Sequence, residues 1–511
     1  MIVSVVFSKA KFQLDLEKRA QAQIEKFQRA EQLARAANKR RKERQINADP
    51  DFVLKEPDLW KQPLHNPYFV RSRRRQLAFR TARDIKARTY KPDPPATFSV
   101  PKSNGQQREV TAFNLVDETV SHSLLRSLTL KNLQRISSYS YAYLPDRGPY
   151  DALRRMKSDW KDADRLYIAE FDFKDFFASL RHETIFEELK KAELSYSPDE
   201  EYLIRAFLEV MSPSAKQGLS QGTSLSVLLA NLAALDLDRG FERIGVGYVR
   251  YADDTVVWSR DYQRISEAAD FIYSTARSIG ATVNHQKSPG IRLLTKHPDQ
   301  ASEMPSTTRI EFLGHSLSLD GIALSQTSVR KIKGNISAII YETLLREPLR
   351  NNQSRSRLGS LDRDYVTCIW QLRRYIYGNI SENELRRLGG SRIPETKIFT
   401  GVVSRYPLAT DSKQWRDLDY WLNTRIRLAL AKRLAQLPPG TNKLEPYSSL
   451  ASADLGKLSN LRHRSPRTNQ LIDLRIPSFS LMNGLIGAAV QQHGFRVIDR
   501  KISNHLYHLT D

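Results

Sequence analysis

The sequence predicts an α+β fold organised around an antiparallel sheet. Three observations carry that expectation. Between about 96 and 320, short β-prone runs alternate with helical stretches. After 325 the strand signals fade and helical patterns take over. And Ala252-Asp253-Asp254 joins two apolar, β-prone runs, the pattern of a hairpin and so of antiparallel pairing.

In chain order, residues 9–46 are rich in Lys, Arg, Gln, Ala and Glu and contain neither Gly nor Pro. Phe12, Leu16, Ile24, Phe27 and Leu33 give a loose helical stripe, so one long basic helix is expected. It either binds RNA or packs by one face with the other solvated. Four prolines make 47–70 an extended connector, and 71–91 is strongly basic and helical in pattern. Strands are expected at 97–101, 166–172, 247–251, 255–259 and 310–318. Helices are expected at 117–130, 150–158, 182–192, 199–211, 223–243 and 264–279, then at 361–389, 413–437 and 476–493. RNNQSRSRLGS at 350–360 reads as a flexible loop. The expected division is 1–70, a basic helical extension and connector; 71–165; 166–322; and 323–511, mainly α-helical.

The chain has 511 residues, enough for several structural units, and 80 Lys+Arg against 57 Asp+Glu give it a formal charge of +23. Such a cation is drawn to a polyanion, most commonly nucleic acid. The one cysteine, Cys368, excludes an internal disulfide and a CxxC zinc site and is expected to be a buried apolar residue. No apolar run approaches the ~20 residues of a membrane helix. The opening MIVSVVFSKAKF is too short in its apolar run for a signal peptide, so a cytoplasmic protein without membrane contact is expected.

The chemistry centres on acids. In VGYVRYADDTVVWSR, 246–260, two adjacent aspartates at a tight turn repel unless a cation neutralises them, and a divalent ion with oxygen ligands does that. In RLYIAEFDFKDFFASL, 165–180, Asp172 stands at a strand end where it can face the tip of a neighbouring hairpin, and Phe173 offers a backbone carbonyl. Phosphoryl transfer to a sugar hydroxyl uses two metals about 3.5–4 Å apart held by shared carboxylates. Asp172, Asp253 and Asp254 are the candidates. Asp175, one turn on, reads as a cap or a solvated acid. Gln221-Gly222 ends a loop, Thr223 can cap the helix that follows, and Gly222 allows a backbone to approach a base or sugar closely.

These segments resemble the motifs of reverse transcriptases. FDFKDFF resembles the A motif, SQGTSLS the B motif, YADD the C motif, ATVNHQKS at 281–288 the D motif and IEFLGHSLSLDG at 310–321 the E motif, or primer grip. Upstream, FSVPKSNGQQREV at 98–110 resembles the fingers motifs, and SYAYLPDRGPYDAL at 140–153 the stretch before the A motif. The resemblance covers about 96–320 in the family's order. It implies a right-hand polymerase, with fingers at 71–165, palm at 166–322 and an α-helical thumb and C-terminal region beyond. It implies RNA-directed DNA synthesis from dNTPs with two Mg²⁺ ions, Mn²⁺ being an alternative. Lys102 and Arg108 match residues that hold the incoming triphosphate, Phe177 the steric gate against a 2′-hydroxyl, Gln221 a nucleotide contact, and Lys287 a general acid for pyrophosphate departure. In the thumb region Arg373, Arg374, Arg386 and Arg387 are expected at a phosphate backbone, and several tyrosines, among them Tyr365, Tyr420 and Tyr507, are candidate priming hydroxyls.

Ser226 is followed by Val227 where the B motif usually has Pro, which moves the chain away from typical group II intron enzymes. The retron elements NAxxH and VTG are absent from the sequence. The remaining pattern resembles bacterial defence-associated reverse transcriptases, of the unknown-group and abortive-infection kinds. That implies a bacterial cytoplasmic enzyme of anti-phage defence, with an RNA template, often a dedicated non-coding RNA, a DNA product and an oligomeric state the sequence does not reveal. A group II intron-like maturase and a non-catalytic RNA-binding scaffold are the alternatives.

Overall fold

A computed structural model of the chain describes residues 8–43, 54–101, 107–212, 216–297, 304–346, 359–389, 391–450, 455–464, 469 and 471–498. Lys102, Tyr507 and most of the loop expected at 350–360 lie outside the described residues. Two compact units emerge: 1–37 with 51–308, and 38–50 with 309–511. The segment 309–322, grouped by sequence with the palm, falls in the second unit.

The first unit opens with α1 (Lys9–Glu43) and α2 (Pro67–Lys86). Asn66 caps α2 by accepting from the amides of Tyr68 and Phe69, and Pro67 occupies the first turn, where no amide is needed. Phe12, Leu16, Ala20 and Ile24 bury one stripe of α1, whereas Leu33 is exposed, so the packed stripe stops short of the sequence-based one. A hairpin follows, β1 (Ala96–Pro101) with β2 (Gln107–Ala112), then α3 (Leu115–Asn132) and α4 (Pro149–Asp159).

The central sheet runs β5 (Gly247–Tyr251), β6 (Asp254–Ser259), β3 (Arg165–Phe171), β8 (Gly290–Thr295), β9 (Ser306–Thr307), antiparallel except for the last pair. A short pair, β4 (Phe173–Lys174) with β7 (Thr282–Val283), stands apart. The helices are α5 (Phe176–Ser179), α6 (His182–Lys191), α7 (Pro198–Met211), α8 (Ser224–Ala233), α9 (Leu235–Ile244) and α10 (Tyr262–Ile279). The helix expected over 223–243 is two, because Ala234 (φ −95°, ψ 6°) leaves helical geometry. No Gly or Pro marks that break. Ala169 and Phe171 of β3 share one buried apolar cluster with Leu229 of α8, Val257 of β6, and Ile265 and Ile272 of α10.

In the second unit the strand expected at 310–318 is broken in two. Leu313 and Gly314 both have positive φ (48° and 75°) and turn β10 (Ile310–Phe312) into β11 (His315–Leu317), which pairs β12 (Ile322–Leu324). Helices α11 (Gln326–Ile340), α12 (Arg363–Tyr377), α13 (Glu382–Leu388), α14 (Ser412–Leu434), α15 (Tyr447–Leu450), α16 (Leu455–Ser459) and α17 (Phe479–His493) follow, with a small pair, β13 (Arg462–Arg464) and β14 (Leu471–Asp473). The helix expected at 361–389 divides at Gly378, where φ is 69° and a Cβ would lie 2.1 Å from Thr400 Oγ1. Cys368 is buried, as its sequence context implied.

Candidate active site at the 252–254 turn

Tyr251 pairs with Asp254, leaving Ala252 and Asp253 as the two turn residues of the β5–β6 hairpin. Ala252 has φ 60°, a left-handed conformation that costs an alanine roughly 1–2 kcal/mol. Arg250 helps hold it there. This side chain is 1% exposed. Its Nη1 donates to the Ala252 carbonyl (3.2 Å) and to Asn231 Oδ1 (3.0 Å). Its Nε and Nη2 donate to Asp238 (2.8 and 2.6 Å), and Nη2 also to Ser140 Oγ (3.0 Å). The turn is therefore anchored from beneath by a saturated guanidinium. Sequence reasoning missed this group; an Arg inside the apolar run GYVRY was the available signal.

Phe171 pairs with Thr255, so Asp172 leaves β3 beside Asp254. The Asp172 amide donates to Ser288 Oγ (3.1 Å) and its carbonyl accepts from the Asn284 amide (2.7 Å). Its carboxylate accepts from Asn284 Nδ2 (3.1 Å) and pairs with Lys287 Nζ (3.2 Å). The β7–β8 connection thus delivers Lys287 to the acids. Asp172 and Asp254 stand at adjoining strand ends, and the charge of Asp172 bears on both Asp253 and Asp254. The surrounding protein, then the charges of Asp253 and Asp172, push the Asp254 carboxyl up to about 7, while Lys287 opposes the shift. Asp253 is raised too, by burial first and by Asp172 next, with Arg108 and Lys287 opposing.

Acids crowded in this way fit divalent cations by their chemistry: hard oxygen donors with negative charge in excess. Among the described residues no three His, Cys, Asp or Glu side chains are placed so that they alone could hold a metal ion. Mg²⁺ rarely uses one, since it keeps waters and takes one or two carboxylates plus substrate phosphates.

Arg108 lies opposite Val100 in the β1–β2 hairpin and its charge reaches Asp253 and Tyr143. Phe177 is 9% exposed, edge-on to Phe176, and its carbonyl accepts from the Leu219 amide (2.7 Å). The Gln221 carbonyl accepts from the Thr111 amide (2.7 Å) and hydroxyl (3.2 Å). Gly222 has φ 108°, and a Cβ there would meet the Thr111 carbonyl and Val110 Cγ1, both at 2.7 Å. The neighbour that demands glycine is strand β2. Asp175, with φ 48°, precedes α5 without a side-chain capping bond.

The structure thus gathers Asp172, Asp253, Asp254, Lys287 and Arg108, and joins Gln221 and Gly222 to β2. The four thumb arginines lie in the second unit. For Arg373 the phosphate role expected from sequence gives way to a structural one. Its Nη atoms donate to the Asp473 carbonyl and carboxylate (both 3.0 Å) and to the Arg475 carbonyl (2.6 Å), which engages that end of the guanidinium within the protein, while Nε is buried without a partner among the described residues. Arg386 is exposed and pairs with Glu382 (3.0 Å); Arg374 and Arg387 are exposed. Tyr365 is fully buried, whereas Tyr420 is 68% exposed.

A sheet with strand-end and hairpin-tip carboxylates at one place, flanked by the hairpin that carries Arg108, has the arrangement of the palm of a right-hand polymerase. The sequence model of the reverse transcriptase (RNA-dependent DNA polymerase) family matches residues 100–317. Protein YkfC of Escherichia coli (strain K12) is 25% identical over 187 residues, 34% of this chain and 48% of that protein. Retron Ec86 reverse transcriptase of Escherichia coli is 31% identical over 125 residues, 24% of this chain and 37% of that one. The chain therefore spans about half or less of the length of these curated relatives. Among solved structures, a telomerase from Candida albicans in complex with a fragment of telomeric RNA aligns with 73% of this chain and 67% of its own, at 14% identity and a TM-score of 0.38. No described helix is long and apolar enough to cross a membrane.

Proposed function

We propose that the chain is an RNA-directed DNA polymerase that adds dNTPs to a 3′ end by phosphoryl transfer. The observation that carries this reading is the meeting of Asp172, at the end of β3, with Asp253 and Asp254, at the tip of the β5–β6 hairpin, on adjoining strands. Asp172, Asp253, Asp254 and the Phe173 carbonyl would hold two divalent ions, Mg²⁺ or Mn²⁺, which supply an activated 3′ oxygen and neutralise charge on the triphosphate and leaving group. Arg108 would bind triphosphate oxygens as a guanidinium fork. Lys287, with an exposed stem, would leave Asp172 to protonate the departing pyrophosphate. Phe177 would exclude the 2′-hydroxyl, which makes the product DNA. Arg71, Arg73, Arg75 and Phe79, exposed on α2, offer charge and a stacking face to the RNA.

Within this reading the protein serves in bacterial anti-phage defence in the cytoplasm, with a companion non-coding RNA as template or scaffold. Val227 after Ser226 and the partial likeness to a retron enzyme favour this over intron mobility. Incorporation of dNTPs on an RNA template, by wild type and by Asp253→Ala/Asp254→Ala, tests the chemistry. Equal synthesis by both would reject it. Sequencing nucleic acid that copurifies with the protein before and after phage infection tests the biology.

A further inference from the structure

The loop that carries Gln221 and Gly222 runs into the first turn of α8, and the protein itself takes up the amides there. Ser226 N donates to Thr223 Oγ1 (3.3 Å) and Leu225 N to Ser121 Oγ on α3 (3.0 Å). Ser224 donates its hydroxyl to Glu118 Oε1 (2.5 Å). Glu118 is thus an anion set at a helix N-terminus, where the dipole favours it. Its side chain is 20% exposed, and across from it stands Arg19 of α1, Nη1 3.6 Å from Oε1. Arg19 is 25% exposed. Helix α1 cannot drift away from this pair, because Leu16 and Ala20, on either side of Arg19 in the chain, are fully buried.

We infer that Glu118 and Arg19 are positioning residues for the nucleotide loop, so that α1 braces the dNTP site from behind. Glu118 fixes the end of the 221–224 loop through Ser224, and β2 fixes its start through the Gln221 carbonyl. Arg19 cancels the Glu118 charge, which would otherwise repel a triphosphate bound beside that loop. The inference rests on the polymerase reading for the ligand, but the brace itself is a property of the protein alone.

Steady-state dNTP incorporation is measured for wild type, Arg19→Ala, Glu118→Ala and Arg19→Ala/Glu118→Gln, with amide exchange of 221–226 followed in each. Arg19→Ala raises the dNTP KM roughly five-fold at nearly unchanged kcat, the size of a charge effect at a helix terminus. The double variant returns KM toward wild type, because the substituted amide side chain still accepts from Ser224 and carries no charge. Glu118→Ala raises KM and speeds exchange across 221–226. A purely structural role would lower the active fraction, and so kcat, with KM unchanged. Where Arg19→Ala lowers the melting temperature, Arg19→Gln keeps the packed stem and replaces it. An unchanged KM in the Arg19 variant, no recovery in the double, or unaltered exchange in Glu118→Ala overturns the inference. Wild-type protein that incorporates no dNTP would instead sink the polymerase reading, and the exchange data would still judge the brace.

Discussion

Each unit gathers aspartates, and they are answered differently. In the second unit Asp362 and Asp364 meet Arg433: Nε to Asp362 (2.5 Å), Nη2 to Asp362 (3.0 Å) and to Asp364 (2.8 Å), Nη1 to the Leu344 carbonyl (3.1 Å). Tyr447 donates to Asp362 as well (2.5 Å), and every one of these side chains is buried. In the first unit, among the described residues, Asp172, Asp253 and Asp254 receive one ion pair, from a lysine that is 67% exposed. A buried acid matched by a guanidinium is a finished structural joint. Three acids beside two exposed cations, Lys287 and Arg108, hold negative charge in excess, and that excess is a binding capacity.

The sharpest break between the two clusters comes from removing acids. Asp253→Ala/Asp254→Ala should cut dNTP incorporation by at least about a thousand-fold, while thermal unfolding in metal-free buffer shows equal or higher stability, since repulsion is relieved. Asp362→Ala should do the reverse. It takes away two of the Arg433 bonds and the Tyr447 acceptor, leaving Asp364 as the one carboxylate on that guanidinium, costs about 3 kcal/mol in denaturant unfolding, and leaves no metal-dependent phenotype of its own.

Titration separates them next. The Asp254 carboxyl is raised from 3.8 to about 7, so between those values the folded state binds more protons than the unfolded chain. Without metal, this group's contribution to stability should fall as pH rises from about 4 to about 7 and level off above. Mg²⁺ should flatten that fall and release protons on binding near pH 7. A melting temperature with the same pH profile with and without Mg²⁺ would deny the acids their metal.

Phe177→Val should raise rNTP use relative to dNTP use and, because the ring is buried, lower stability by about 2 kcal/mol. An unchanged rNTP/dNTP ratio in a folded, active variant would leave Phe177 as packing alone. The smallest effect lies on α2, where Arg71, Arg73 and Arg75 are exposed guanidinia turned to solvent. Changing them to Gln should weaken RNA binding uniformly across sequences and flatten the log–log salt dependence by about one for each phosphate no longer neutralised. An unaltered slope would place the RNA elsewhere. Deleting α1 is a poorer test, because Phe12, Leu16 and Ala20 belong to the core.

Much of this was legible in the residues, for physical reasons. Strands β3, β5 and β6 were readable because apolar β-prone runs end at acids, and the turn that joins two of them is two residues long. A helix with a readable cap, such as α8 after Thr223, announced its start. Strand β8 was missed, although it pairs with β3 along six residues, because Arg292 interrupts its apolar pattern to meet Glu170. The duties of Arg373 and Arg250 were illegible for another reason: a guanidinium buried among long-range partners and one awaiting phosphate are the same letter in the sequence. Likewise Gly222 announced a close approach but not by which backbone.

Helix α8 begins at the loop braced by Glu118 and, about two turns on, presents Asn231 to Arg250, which grips the Ala252 carbonyl. From Ser224 to Asn231 an α-helix advances about 10 Å. The helix is thus a gauge block between the place expected to read the base and sugar and the turn expected to hold the metals. One residue added or removed between Ser224 and Asn231 would turn the asparagine about 100° away from its arginine. The letters between these two residues can change without moving either end, whereas their count cannot, and changes of length are absorbed in the loops on either side.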